Sequence, residues 1–347
     1  MESRLEHRMS RRHGQMRDIA PVTLGKWLIS ERSTDPIKTP KFIMIMSALE
    51  TAIRSISQLA ARARINRIDQ RVDDETSFPI TKQETLAHDI VLRCLKASGL
   101  VSIAISTVSP TPILIDDEAR ELESYVVCYN PLDGANHLSA SAITGMIFSI
   151  YKKGESRDLN DIKCGNEMIA GGFAVFATCN ILMLSIGKKG VQEFLFDPVL
   201  GEFIAKNLNV TIPVKGHFYC IDEAKSNLWN QATFEYINRK KNPKLGKVKK
   251  LRFVGSLCAD TYRTLKEGGI LLYPETSLRP LGQVRLLCEG NALSYLVRVA
   301  GGLASTGRIS PLDVLPRPIH RTCPLYLGSR EDVIELLEIF TIRKATS

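Results

Sequence analysis

The stretch Tyr125-Val126-Val127-Cys128-Tyr129-Asn130-Pro131-Leu132-Asp133-Gly134 sets a compact β-prone run directly against a proline and a glycine. Aromatic and β-branched residues suit a buried, pleated strand, whereas proline and glycine force the chain out of one, so a loop is predicted from Asn130 onward. On either side the pattern continues. Short apolar runs at 101–106, 146–151, 171–178, 181–186 and 193–196 are separated by polar or glycine turns and predict a largely antiparallel sheet around that loop.

Farther out the period changes. Over 41–65, Phe42, Ile45, Met46, Leu49, Ile53, Ile56 and Ala60 recur at the spacing of an amphipathic helix, and 86–95 reads as a second. The later half predicts a helix over 227–240, a strand over 269–273 and a helix over 292–300 stopped by Gly301-Gly302. A final helix begins at Ser329, where Asp332 three residues on has the spacing of a capping box. Helices and strands mixed in this order indicate an α/β (α+β layered) protein.

Bulk composition narrows the class. The 347 residues with 44% hydrophobic content fill a sizeable core. A count of 46 basic against 37 acidic residues gives a net charge of +9, which suits anionic partners such as phosphorylated sugars, nucleic acid or acidic proteins. Eight widely spaced cysteines without a C-x-x-C pair read as reduced, mostly buried thiols. No apolar run is long enough to span a membrane, so no membrane partner is expected. Arg4, Arg8, Arg11, Arg12 and Arg17 suggest an organellar presequence, but Glu2 and Glu6 interrupt it. Residues 1–21 are therefore read as a disordered basic extension of a cytoplasmic protein, with a mitochondrial or plastid address as the alternative.

The opening stretch, together with Arg285-Leu286-Leu287-Cys288-Glu289-Gly290-Asn291, resembles the metal-site segments of class 1 fructose-1,6-bisphosphatases. The segments Phe196-Asp197-Pro198-Val199-Leu200-Gly201, Phe253-Val254-Gly255-Ser256-Leu257-Cys258-Ala259-Asp260, Gly268-Gly269-Ile270-Leu271-Leu272-Tyr273-Pro274 and Leu327-Gly328-Ser329 follow in the family's order, so the resemblance runs from about residue 22 to the end. It implies a sugar-phosphatase fold of alternating layers, αβαβα. The metal-site half would occupy 22–200 and the sugar-phosphate half 201–347. It also implies hydrolysis of a sugar bisphosphate with Mg²⁺, and a homo-oligomer or a place in a larger complex.

Against the family's pattern the metal ligands are depleted. The first Asp of Asp-Pro-x-Asp-Gly is Asn130, while Asp133 and Glu289 persist as metal candidates. Where the family has an acidic pair after the 101–106 strand, this chain has Thr107-Val108-Ser109-Pro110. An upstream carboxylate that helps prepare the attacking water corresponds to Glu84, and a further acidic position falls near Phe78. Each carboxylate lost at about 4 Å forfeits roughly 4 kcal/mol of attraction for a cation at an effective dielectric of 20. A rearranged site would have to recruit Asp116 or Asp117.

The implied substrate pocket is altered in parallel. Arg252, Tyr273 and Arg285 match family positions, but Asp222 stands for an Asn, Lys225 and Phe253 for tyrosines, Leu257 for a Met and Gln283 for a phosphate-binding Lys. Gly134-Ala135-Asn136-His137 replaces Gly-Ser-Ser-Asn, keeping backbone N–H groups that suit an anion. Residues 37–41 lack the loop that holds regulatory AMP in animal members. The resemblance with these losses points to a catalytically weak or inactive paralogue with a structural, scaffold or ligand-sensing role. The alternatives are a working bisphosphatase, and an anion- or RNA-binding subunit using the basic run 239–252, which lacks interleaved aromatics.

Overall fold

The computed structural model describes residues 21–30, 37, 39–63, 80–115, 124–153, 164–244 and 246–346. The readings placed on the basic extension, on Phe78 and on Asp116 and Asp117 lie outside these residues. The helices are α1 (Leu24–Ser30), α2 (Pro40–Arg62), α3 (Lys82–Ser98), α4 (Gln231–Lys241), α5 (Leu257–Glu267), α6 (Asn291–Val299) and α7 (Arg330–Thr346). The larger sheet contains β1 (Val101–Ser106), β2 (Ile113–Leu114), β3 (Tyr125–Asp133), β4 (Thr144–Lys152), β5 (Ala170–Phe176), β6 (Ile181–Ile186), β7 (Gln192–Asp197) and β8 (Glu202–Asn207) in the order β2-β1-β3-β4-β5-β6-β7-β8. Every neighbouring pair is antiparallel except β1 and β3, which run parallel.

A second sheet of β9 (Phe218–Cys220), β10 (Lys250–Leu251), β11 (Ile270–Tyr273), β13 (Leu303–Ser305) and β15 (Leu325–Gly328) is ordered β10-β9-β11-β15-β13. The short strands β12 (Val284–Arg285) and β14 (Thr322–Cys323) pair separately.

Side-chain alternation builds the layers. Met146, Phe148 and Ile150 of β4 pack with Phe42, Leu49 and Ile53 of α2 and Val91 of α3. Ile147 points to the other face and joins Leu265 of α5, Leu293 and Leu296 of α6 and Leu271 of β11. Beyond the small sheet, Ile270 and Leu272 meet Tyr236 of α4 and Val333 and Leu336 of α7. The resulting order, helices, sheet, helices, sheet, helices, is the expected αβαβα architecture. Because both faces of the large sheet are covered, β1, β3 and β5 are buried along their whole length.

Local chemistry sets the helix ends. Thr39 caps α2 ahead of Pro40. Thr81 and Glu84 form a reciprocal capping box on α3, which ends on the left-handed Gly99. The helix over 227–240 begins later than its sequence suggests, at Gln231, because Asn230 caps it and a 3₁₀ turn over Glu223–Leu228 precedes it.

Two readings are corrected. The chain does not leave the strand at Asn130, since β3 continues to Asp133 through a register shift between those residues against β4. Pro131 is tolerated because a bulge asks for no ladder hydrogen bond from it. Nor does Asp332 close a capping box on Ser329. Its carboxylate accepts from Gly216 N (2.8 Å) and pairs with Lys249 Nζ, while Ser329 N donates to Gly269 O (2.8 Å).

Gly145 lies where β4 crosses under α5. A Cβ there would come within 2.3 Å of Ala174 O and 2.6 Å of Cys258 Cβ. Gly145→Ala should lower unfolding free energy by about 1–3 kcal/mol or more, because the obstruction is a backbone carbonyl that cannot swing away. A urea-denaturation midpoint equal to that of the unaltered protein would contradict this packing.

Candidate functional site

The extended strand β3 delivers Asn130 and Asp133 to one buried position, and a wide π turn over Leu286–Gly290 delivers Glu289. The resemblance implies a strand at Glu289. The residue stands instead on that turn, whose winding brings its Oε2 within 2.8 Å of Arg285 N. Asn130 Nδ2 donates to Glu289 Oε1 at 2.8 Å, and Asn130 Oδ1 accepts from Leu132 N at 3.2 Å. Asp133 Oδ2 accepts from Ser256 Oγ (2.6 Å) and Cys258 N (2.9 Å), joining the strand to the start of α5.

Glu84 shares this electrostatic neighbourhood but is bonded elsewhere. Its Oε2 accepts from Thr81 N (2.7 Å) and Thr81 Oγ1 (2.8 Å), which is the cap of its own helix. Burial pushes its carboxyl upward, while the Thr81 bonds and the Arg285 guanidinium oppose that shift. Arg285 Nη1 donates to the carbonyl of Thr107, in the segment where the family carries its acidic pair. A fixed guanidinium therefore lies against the segment that contributes metal ligands in the family pattern.

Other residues of the implied substrate pocket have their own local partners. Burial, followed by the nearby Asp133 carboxylate, raises the Tyr273 hydroxyl well above its ordinary range, and the Phe253 ring lies 6.4 Å from the Tyr273 ring. Gly134 sits at φ 75°, and a Cβ there would meet Ser256 Cβ at 3.2 Å and Ile143 O at 3.3 Å, so the backbone turns tightly beside Asp133. Asp222 and Lys225 pair with each other at 2.9 Å. Arg252 donates to Leu251 O (3.0 Å) and lies over the Phe218 ring. Gln283 is half-buried just ahead of β12.

His137 packs against Gly255, where an added Cβ would stand 2.9 Å from its Nε2. His88, for which sequence suggested no role, has its Nδ1 3.0 Å from both Ser106 Oγ and Tyr129 Oη. Sequence reasoning passed over Ser256 as a partner of Asp133. The only local signal was its place as N-cap of α5, which it also fills by accepting from Ala259 N.

A sequence model described as the fructose-1,6-bisphosphatase N-terminal domain matches residues 22–207, and one described as the C-terminal domain matches 212–341. The chain belongs to the fructose-1,6-bisphosphatase family. It is 37% identical over 315 residues to rat fructose-1,6-bisphosphatase 1, covering 89% of this chain and 86% of that one. A cytosolic fructose-1,6-bisphosphatase of Brassica napus is 33% identical over 333 residues, covering 92% and 95%. A holo crystal structure of Leishmania major fructose-1,6-bisphosphatase superposes with a TM-score of 0.85 at 26% identity, covering 93% of this chain and 99% of the other. Fructose-1,6-bisphosphatases are phosphoric monoester hydrolases of carbohydrate metabolism and in general depend on metal.

A divalent ion at this fructose-1,6-bisphosphatase-family site would compete with protein donors for carboxylate oxygens. Mg²⁺ and similar ions need several oxygen lone pairs converging on one point. Here both oxygens of Glu289 and one oxygen of Asp133 already accept from protein donors, and Asn130 turns an N–H toward Glu289. Among the described residues, no three His, Cys, Asp or Glu side chains gather as a metal-holding group. All eight cysteines are free; five are buried and only Cys179 is exposed. Among the described residues, no helix is long and apolar enough to cross a membrane.

Burial pushes the Glu289 carboxyl from its ordinary 4.5 up to about 7, with Asp133 adding repulsion and the Arg285 N–H opposing. Between those values the folded chain holds a proton that the unfolded chain has lost, so this group's contribution to stability falls as pH rises. Over roughly pH 4.5 to 7.5 the unaltered protein should lose up to about 3 kcal/mol relative to Glu289→Leu in urea unfolding. A difference between the two that does not change with pH would contradict the assignment.

Proposed function

We propose that this chain is a fructose-1,6-bisphosphatase-family protein with weak or absent phosphatase activity, kept for a structural, scaffold or ligand-sensing role. The observation that carries this reading is the hydrogen bond from Asn130 Nδ2 to Glu289 Oε1. Two carboxylates at these positions repel and need a cation or a proton between them. An amide facing a carboxylate donates to it and adds no second charge. The same substitution that removes a ligand therefore lowers the local demand for a cation.

Two further features support the reading. Thr107-Val108-Ser109-Pro110 supplies no carboxylate, and Arg285 occupies the carbonyl of Thr107. Gln283 brings no cation to a sugar phosphate, and the Lys225 ammonium is paired with Asp222. A phosphate entering here would meet Arg285 and the Gly134 backbone, with Asp133 and Glu289 repelling it where the charge of a metal is needed for transfer. On this reading Mg²⁺ is not a resident cofactor. The protein acts as a homo-oligomer or as a subunit of a larger complex.

Steady-state phosphate release from fructose 1,6-bisphosphate by the purified chain, with saturating Mg²⁺ or Mn²⁺, tests the proposal. The expected rate is far below the ordinary enzyme range of about 1–10³ s⁻¹. Asn130→Asp alone should not restore it, because the 107–110 segment still offers no acids. Turnover by the unaltered protein within that range would sink the proposal and favour a working bisphosphatase with a rearranged site.

A further inference from the structure

The basic run 239–252 is left unused by the Asn130–Glu289 site, and it is not simply a solvated loop. It forms one wall of a cavity of about 960 Å³ between the C-terminal end of α4, the segment leading to β10, the approach to β9 and one side of α7. Lys215, Arg239, Lys240, Lys244, Lys247 and Lys249 line it, with His217, Asn238 and Asn242 among them and Glu335 as the lining carboxylate. None of the residues already assigned to the candidate functional site lines this cavity.

Part of the charge is compensated. Lys240 pairs with Glu335, Lys249 with Asp332, Arg239 with Glu235, and Lys215 with Glu331 at 3.6 Å. The Lys240 and Lys249 side chains are only 10% exposed, so these pairs make a rigid floor that fixes the α4 and β10 walls against α7. Lys244 and Lys247 are exposed at the rim, and the described residues place no carboxylate in ion-pair range of either. The cavity thus has a fixed floor and a surplus of cationic donors on flexible arms at its mouth.

We propose that this cavity binds a small molecule carrying two or more phosphate groups. Its volume falls within the range of small-molecule pockets, roughly 300–1,000 Å³, and is large for a single phosphate. Lysine ammonium groups suit phosphate oxygens as point charges with rotatable donors. An extended RNA strand is disfavoured because bases need aromatic platforms, and the lining residues contain no Phe, Tyr or Trp.

The full chain, titrated calorimetrically with inorganic tripolyphosphate and with orthophosphate, tests this. Tripolyphosphate should bind more tightly than orthophosphate, and the exposed double variant Lys244→Glu/Lys247→Glu should weaken it by about tenfold or more at an unchanged melting temperature. Arg285→Ala, which disables the Asn130–Glu289 site, should leave the affinity unchanged. Absence of binding, loss on Arg285→Ala alone, or indifference to the double variant would each overturn the proposal. So would tighter, lysine-dependent binding of a single-stranded RNA oligomer, which would assign the surface to nucleic acid. None of these outcomes depends on whether the chain hydrolyses fructose 1,6-bisphosphate.

Discussion

Two buried carboxylates, Asp133 and Glu289, have to be held at the meeting point of three layers, and each accepts hydrogen bonds from protein donors there, the Asn130 amide serving Glu289. β3 comes from the large sheet, the π turn leads into α6 of the middle layer, and Ser256 opens α5 beside them. A buried carboxylate left without partners costs several kcal/mol. Here Ser256 Oγ and Cys258 N satisfy one, and Asn130 Nδ2 and Arg285 N satisfy the other. The same hydrogen bonds that stabilise the junction use lone pairs a metal would need. Fold stability and metal affinity therefore compete at this point, and on the proposed reading the amide of Asn130 and the acid-free 107–110 segment favour the fold.

Much of the architecture is legible in the chain because burial dictates it. The i, i+3, i+4 recurrence from Phe42 to Ile56 matches α2, and the short apolar runs become strands covered on both faces. The strand that carries the site was misjudged at its end. Pro131 looks like a strand terminator in isolation, yet a bulge absorbs it, and only pairing with Ile147 and Gly145 of β4 reveals that. The spacing of Ser329 and Asp332 likewise matched a local capping pattern, while the carboxylate was drawn instead to Gly216 N and the Lys249 ammonium across the fold.

The candidate site was legible as a set of residue types but not as a bonding pattern. Asn130, Asp133 and Glu289 could be picked out from motifs. That Asn130 would donate to Glu289, 159 positions away, and that Ser256 would satisfy Asp133 from 123 positions away, depends on how the layers stack. The basic run near α4 illustrates the same gap. Its charge was plain, but its closure into a cavity needed Lys215 and Glu335 from distant segments.

The central claim is that this junction is held by protein donors in place of a divalent ion. A crystal grown with saturating Mn²⁺ and examined by anomalous scattering tests it most directly. The account predicts no anomalous peak between Asn130, Asp133 and Glu289. A peak within about 2.2 Å of oxygens from both Asp133 and Glu289 would contradict it.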